Sequence, residues 1–368
     1  MTPSHDAQQN TLRDQKRAFV ALRRRLGRLR GSNYDISNTC NLTCEGCLYF
    51  AREGELPVET PDTDRDWELL FEQEAARGVN FAYLAGAEPS LVPNRIRAAQ
   101  AHIPNGVVFT NGTKKLPDDI RYRIHVSLWG LDDTGGMLRG ADVNAKAFRN
   151  YSGDPRAIFV LTINAQNTNE IVEIARQCAE ADVTLTFSFF SPTDSYNTFI
   201  AKGQAQESDY LRLGGNSSYD LRHTPESLAR AREEIVKATG LYPDTIKYSL
   251  HYNDWISQPA EMLWDLDENN VAINCGNRLT KTHRHYAADA TLNDGKCCSP
   301  NIDCRECRAY AMGFGTFLTR HQVFAKGETD FAAWNEGWQI WADMFMPLPE
   351  DDVTAAPAPA EAAQVAAQ

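Results

Sequence analysis

Asn33-Tyr34-Asp35-Ile36-Ser37-Asn38-Thr39-Cys40-Asn41-Leu42-Thr43-Cys44-Glu45-Gly46-Cys47 is the stretch on which the reading turns. Residues 33–38 read as a short strand, and the strand runs directly into a C-x3-C-x2-C loop. Residues Met1 to Asn10 are polar and lack an apolar h-region, so no secretory signal is visible and a cytoplasmic location is expected. In such a reducing compartment, clustered thiols point to metal and not to disulfides.

Outward from this stretch, short apolar strands alternate with helical periods. Strands are expected at 33–38, 80–85, 106–110, 123–129, 157–163 and 183–190. One intervening helix is plain. Thr63 and Asp66 make a capping box, Trp67, Leu70, Phe71 and Ala75 an apolar face, and Gly78 a stop. Repeated strand–helix units predict an α/β fold with a parallel sheet, and six of them in about 160 residues predict a partial (β/α)6 barrel in place of a closed eight-unit one.

The flanks divide into expected units. In 1–32, Leu12, Phe19, Leu22, Leu26 and Leu29 recur at helical spacing among basic residues such as Arg13, Arg17, Arg24 and Arg28, giving a basic amphipathic helix that closes one end of the core, 33–192. A loop or lid, rich in Ser, Asn, Gln and Gly, is expected from Thr193 to Ser218. Thr224 as N-cap and Pro225 at N1 start a connecting helix that Gly240 stops, completing a unit at 193–272. A second cysteine group falls in 273–320. Phe331, Trp334, Trp338, Trp341 and Phe345 mark a helix in 321–350 that docks on the core. The remainder, 351–368, ends in Ala, Pro, Gln, Val and one Glu and is expected to be a disordered tail.

Composition excludes several classes. The chain has 368 residues, 42% hydrophobic and 23% charged, which is the usage of an ordinary globular protein. No run approaches the length of a membrane span. Lys+Arg 37 against Asp+Glu 49 gives −12, which argues against a nucleic-acid partner for the body of the protein and leaves the basic helix as the segment to test for RNA.

The spacing of Cys40, Cys44 and Cys47 lets one loop ligate three irons of a [4Fe–4S] cube and leave the fourth open. An open iron can chelate the amino and carboxylate groups of S-adenosylmethionine. Here the chain resembles the radical S-adenosylmethionine superfamily over roughly residues 33–192, because further motifs follow in order at strand ends. Gly86-Ala87-Glu88-Pro89 is similar to the family's Gly-Gly-Glu-Pro, whose acid receives the methionine ammonium. Thr110-Asn111-Gly112 resembles its Thr-Asn-Gly turn near the ribose. Ser127 with Leu138-Arg139-Gly140 resembles the fourth-strand pattern reaching ribose and carboxylate, and Asn164 and Phe187 to Phe189 match more loosely. Two positions depart from the family: Gly46 stands where an aromatic residue precedes the third cysteine, and Ala87 replaces a glycine. Tyr49 or Phe50 is the expected substitute for adenine packing. The competing reading is a zinc ribbon joining Cys44-x2-Cys47 to Cys304-x2-Cys307.

Cys275, a hairpin signal at Asn293-Asp294-Gly295, Cys297-Cys298 and Cys304-Arg305-Glu306-Cys307 resemble the family's small auxiliary-cluster modules of twitch or SPASM type. The resemblance implies a second [4Fe–4S] cluster on Cys275, Cys304, Cys307 and one of Cys297 or Cys298. Cys297 is taken as the ligand and Cys298 as a spare thiol able to act catalytically by giving a hydrogen atom to a substrate radical; a single zinc ion is the plainer alternative. The implied function is reductive cleavage of S-adenosylmethionine and hydrogen abstraction from a polar small molecule or a peptide, with flavodoxin or ferredoxin as electron donor. The first 32 residues are too few for a fused leader-peptide domain, which weighs toward small metabolites. An RNA substrate and a non-catalytic zinc or iron–sulfur interaction protein are the rivals.

Overall fold

The computed structural model describes residues 5–51, 58, 63–202, 208–213, 219–276, 282–293 and 302–348, with backbone alone for 5–12. Cys297, Cys298, the expected turn beyond Asn293 and the expected tail lie outside these residues.

Six strands, β1 (Gly31–Asp35), β2 (Phe81–Ala85), β3 (Asn105–Thr110), β4 (Arg123–Leu128), β5 (Ala157–Ile163) and β6 (Thr184–Phe189), pair in sequential order and all in parallel. Their order is that of the expected partial barrel. Parallel strands covered on both sides need apolar residues on both faces, and in β5 only Thr162 is not buried. Helices α2 (Thr63–Ala76), α3 (Pro93–His102), α4 (Asp132–Arg139), α5 (Asn144–Tyr151) and α6 (Ile171–Glu180) fill the crossovers. Trp67 and Phe71 of α2 are fully buried against Tyr34 of β1, with Phe71 and Tyr34 ring centres 5.0 Å apart.

Several expectations are corrected. Strand β1 starts two residues early, at Gly31, because its place is set by backbone pairing with β2 and not by apolar content. The segment after Thr193 is not all loop. Asp194–Lys202 is helix α7, capped by Thr193, whose Oγ1 accepts from the Tyr196 amide at 3.0 Å. Helix α8 (Pro225–Leu241) has the predicted start, a reciprocal Thr224–Ser227 capping box, but runs through Gly240. Helix α9 follows at Leu250–Ile256.

A short hairpin between Cys275 and Cys304 joins the main sheet. Strand β7 (His285–Tyr286) pairs in parallel with β1, and β8 (Leu292–Asn293) pairs antiparallel with β7, so the sheet has eight strands in the order β6-β5-β4-β3-β2-β1-β7-β8. The hairpin turns at Ala287–Thr291, where Asp289 accepts from the Thr291 amide and Ala290 takes a φ of 63°; Asn293 lies in the strand, so the Asn-Asp-Gly signal does not form this turn.

Helices α10 (Tyr310–Thr319), α11 (His321–Phe324) and α12 (Glu328–Phe345) complete the chain. The aromatic stripe of α12 docks as expected. Trp334, Trp341 and Phe345 are buried, and Phe19 of α1 (His5–Leu26) packs on Phe331 and Trp334. Arg123 and His125 of β4 hold the carbonyls at the end of α12: Arg123 donates to Asp343 and Met346, and His125 Nε2 to Met344 at 2.9 Å. No helix among the described residues is long and apolar enough to cross a membrane.

Candidate active site

A cavity of about 320 Å³ opens at the C-terminal ends of the strands. The three-cysteine loop, the ends of β2 to β6, and Ile302 with the residues opening α10 form its walls. Cys40, Cys44 and Cys47 all line it. Burial, and then the neighbouring Cys44, pushes the Cys47 thiol up to about 12, and burial also raises Cys40. Bare Cys40 and Cys47 thiols therefore hold their protons, and iron ligation would displace them. Among the described residues, no three His, Cys, Asp or Glu side chains converge as one ion requires, so the ribbon joining Cys44 and Cys47 to Cys304 and Cys307 is not formed. Three soft donors spaced round one wall fit a cluster that takes one thiolate per iron.

The loop is braced from two sides. The Thr43 and Glu45 amides donate to the carbonyls of Arg139 and Leu138, so the Leu-Arg-Gly motif pairs with the loop backbone. A strap at 208–213 lies across the other side. The Gly46 amide donates to Tyr210, the fully buried Glu45 accepts from the amides of Arg212 and Leu213 at 3.0 and 3.1 Å, and Phe50 stacks on Tyr210 at 4.7 Å. Phe50 is not among the residues that line the cavity. Gly46 has a φ of +63°, and a Cβ there would stand 3.0 Å from Phe190 and 3.1 Å from Tyr196. The departure from the family pattern thus has a steric reason: rings arriving from the end of β6 and from α7 occupy the space.

Tyr49 lines the cavity, and its hydroxyl donates to Asp35 and accepts from the Gly86 amide, both at 2.9 Å. Asp35 also accepts from His285 Nε2 at 2.8 Å, and Asn293 meets His285 Nδ1 at 3.3 Å. Gly86 has a φ of +123°, and a Cβ on it would lie 2.9 Å from the Ser37 backbone, so β1 and β2 can close up only on glycine.

The motif residues divide into two groups. Glu88 is buried, and its carboxylate is taken up by the chain itself: Oε1 accepts from the Ser90 amide at 2.9 Å and Thr110 Oγ1 at 2.6 Å, and Oε2 from the Asn111 amide at 2.7 Å. Glu88 and Thr110 therefore hold the Thr-Asn-Gly turn in place. Asn111 reaches the cavity and donates to Asn41 in the cysteine loop, which in turn donates to Thr113, all within 2.8 Å. Asn164 is fully buried, accepts from the Gln166 amide, and builds a turn after β5; it is not brought to the cavity wall. Ser127 and Arg139 do line the cavity. Arg139 is 1% exposed and donates to the carbonyls of Ser127 at 2.7 Å and Asn111 at 3.2 Å, while its Nε finds no partner and no carboxylate pairs with it among the described residues. A buried guanidinium left so has the chemistry to take up an anionic group.

Cys275, Cys304 and Cys307 are buried. The Cys304–Cys307 turn is fastened to the exit of β6, with the Asp303 amide on the Pro192 carbonyl and the Arg308 amide on Ser191 Oγ at 2.9 Å. Sequence reasoning missed Asp35, Tyr49 as an anchor, Glu45, Asn41 and His285. Only Glu45, an acid between two cysteines, carried a local signal.

No family model matches the chain. The sporulation killing factor maturation protein SkfB of Bacillus subtilis (strain 168) is 28% identical over 40% of this chain and 38% of the relative, so the chain matches well under half of that protein's length. Streptococcus suis SuiB bound to S-adenosylmethionine superposes with a TM-score of 0.51 at 15% identity, covering 73% of this chain and 60% of SuiB. SuiB bound to precursor peptide SuiA gives 0.50 at 15%, with 79% and 66% covered. At these identities the structural likeness is one of fold. It agrees with the order of motifs along the strands and with the partial likeness to SkfB, and the chain is thus similar in fold and motif order to enzymes of the radical S-adenosylmethionine type.

Proposed function

We propose that the chain is an enzyme that cleaves S-adenosylmethionine reductively and abstracts hydrogen from a peptide substrate. The observation that carries the chemistry is one cavity lined by three thiols and by the buried Arg139, whose Nε has no hydrogen-bond partner. With a [4Fe–4S] cluster on Cys40, Cys44 and Cys47, bound S-adenosylmethionine would supply the hydrogen-abstracting radical. Arg139 would take the methionine carboxylate. Ser127 and Asn111 would face the ribose, and Tyr49, fixed by Asp35, would offer its ring to the adenine. The names of SkfB, a maturation protein, and of SuiB bound to a precursor peptide support a peptide over a small metabolite. A reduced flavodoxin or ferredoxin in the cytoplasm would be the electron donor.

We also assign a second cluster to Cys275, Cys304, Cys307 and one of Cys297 or Cys298, the other thiol being free to return a hydrogen atom. Its support is the burial of the three described cysteines and the fastening of the Cys304–Cys307 turn to the exit of β6, beside the cavity-lining Ile302. The test is anaerobic reconstitution with iron and sulfide counts, then reduction with S-adenosylmethionine and a search for 5′-deoxyadenosine. Replacing Cys40, Cys44 and Cys47 together by Ala should abolish 5′-deoxyadenosine and leave the iron of the second site. A triple variant that still makes it would overturn the assignment.

A further inference from the structure

His125 is a buried polar residue in the wall of the cavity that the thiol loop lines. It lies on β4 two residues before Ser127, and alternate residues of a strand share a face, so it sits about 6.6 Å deeper than the layer proposed for the cofactor. It is 1% exposed. Around it are Phe109, Tyr310 and Phe345, with ring centres 5.3, 5.7 and 5.0 Å away.

The tautomer follows from its one hydrogen bond. Nε2 meets the Met344 carbonyl at 2.9 Å, and a carbonyl only accepts, so Nε2 carries the hydrogen and Nδ1 is a bare lone pair. Nδ1 is buried without any partner. The nearest hydroxyl on α10, that of Tyr310, is turned to Met344 Sδ at 3.3 Å. Burial, helped by Arg123, holds the ring's pKa down to about 3, so it stays neutral and Nδ1 stays an acceptor. A buried acceptor left unpaired is costly unless something arrives to pair with it.

We infer that His125 Nδ1 accepts a hydrogen bond from the substrate group that enters this cavity, so that the cavity selects a side chain carrying one O–H or N–H donor on an apolar frame. A carboxylate would bring lone pairs against a lone pair. A purely aliphatic side chain would leave Nδ1 unpaired. The inference takes from the proposed function only that this cavity is where substrate reacts.

The test uses three probes of one shape on the reconstituted full chain with S-adenosylmethionine bound: p-cresol, which has a donor; 4-methylanisole, which has the oxygen without its hydrogen; and toluene. Calorimetry should show p-cresol binding about ten-fold more tightly than either of the others, the worth of one neutral hydrogen bond. His125→Gln, whose amide can serve Met344 and whose carbonyl can serve the probe, should keep the preference, and His125→Phe should level it. Equal affinities in the wild type, no binding of any probe, or a preference that persists in His125→Phe would overturn the inference. If His125→Phe does not fold, the wild-type series decides alone. Affinity for S-adenosylmethionine is measured on the same preparations. Its absence would sink the proposed function and leave the donor preference standing, whereas probes bound without preference beside intact S-adenosylmethionine binding would sink this inference only.

Discussion

Glu88→Gln separates two roles for the acidic motif. In the structure the carboxylate supports a turn: two hydrogen bonds reach Oε1 and one reaches Oε2. A glutamine that keeps its oxygen toward Ser90 and Thr110 turns its NH2 against the Asn111 amide, setting donor against donor. The bond from Asn111, charge-assisted, would be lost at about 1.5–3 kcal/mol, and the remaining two would fall from charged to neutral strength, for about 2–5 kcal/mol in all. Urea unfolding of the full chain without S-adenosylmethionine should therefore show a lower stability. Affinity for S-adenosylmethionine should fall as well, because Asn111 and the Arg139 contact on its carbonyl move with the turn. An unchanged unfolding free energy with weakened binding would refute this reasoning and return Glu88 to the ammonium role that the motif implies.

Gly46→Ala should destabilise the loop by about 1–2 kcal/mol from its left-handed backbone alone, and more from contact with Phe190 and Tyr196, lowering iron retention after reconstitution; full iron content at wild-type stability would contradict this. Glu45→Ala frees the strap, so amide exchange at Arg212 and Leu213 should accelerate and chelators should strip iron faster, and unchanged protection would show that Glu45 does not hold it. His125 and His223 are both held at about 3 by burial, below the unfolded value of about 6.5, so the unfolded chain binds the extra protons. The stability they protect is complete above about pH 6.5 and is lost as pH falls toward 3, at up to about 1.4 kcal/mol per pH unit for each. The double variant His125→Gln, His223→Gln should show a shallower loss between about pH 6.5 and 4.5, and an identical slope would count against it.

Five of the six sequential strands were legible to within a residue because buried parallel strands are apolar runs bounded by turn formers. Strand β1 was the exception, being Gly31-Ser32-Asn33 at its start and held by neighbours on both edges. The thiol loop was legible because its spacing is local. Helix α7 was not, since Thr193 caps it within a stretch of loop-like composition. The β7–β8 hairpin was not legible because its turn, Ala287 to Thr291, has only Asp289 as a turn former. What no local pattern could show is the chain of contacts from Gly86 through Tyr49 and Asp35 to His285, whose last step joins residues 250 positions apart. In the motif itself, position was legible but assignment was less so: Glu88 and Asn164 stand at strand ends as expected, yet their polar atoms are spent on neighbouring turns.

The union of β7 with β1 bears on how such a protein can be cut and recombined. A chain truncated near residue 272 would lose more than the second cysteine group. It would bare a sheet edge at Asn33 and Tyr34 and leave Asp35, a buried carboxylate, with Tyr49 but without the His285 imidazole. Grafting the cysteine-bearing segment from a relative would then carry the first loop's geometry with it, so an exchange would succeed only when β7 and its partner strand travel as one inherited piece.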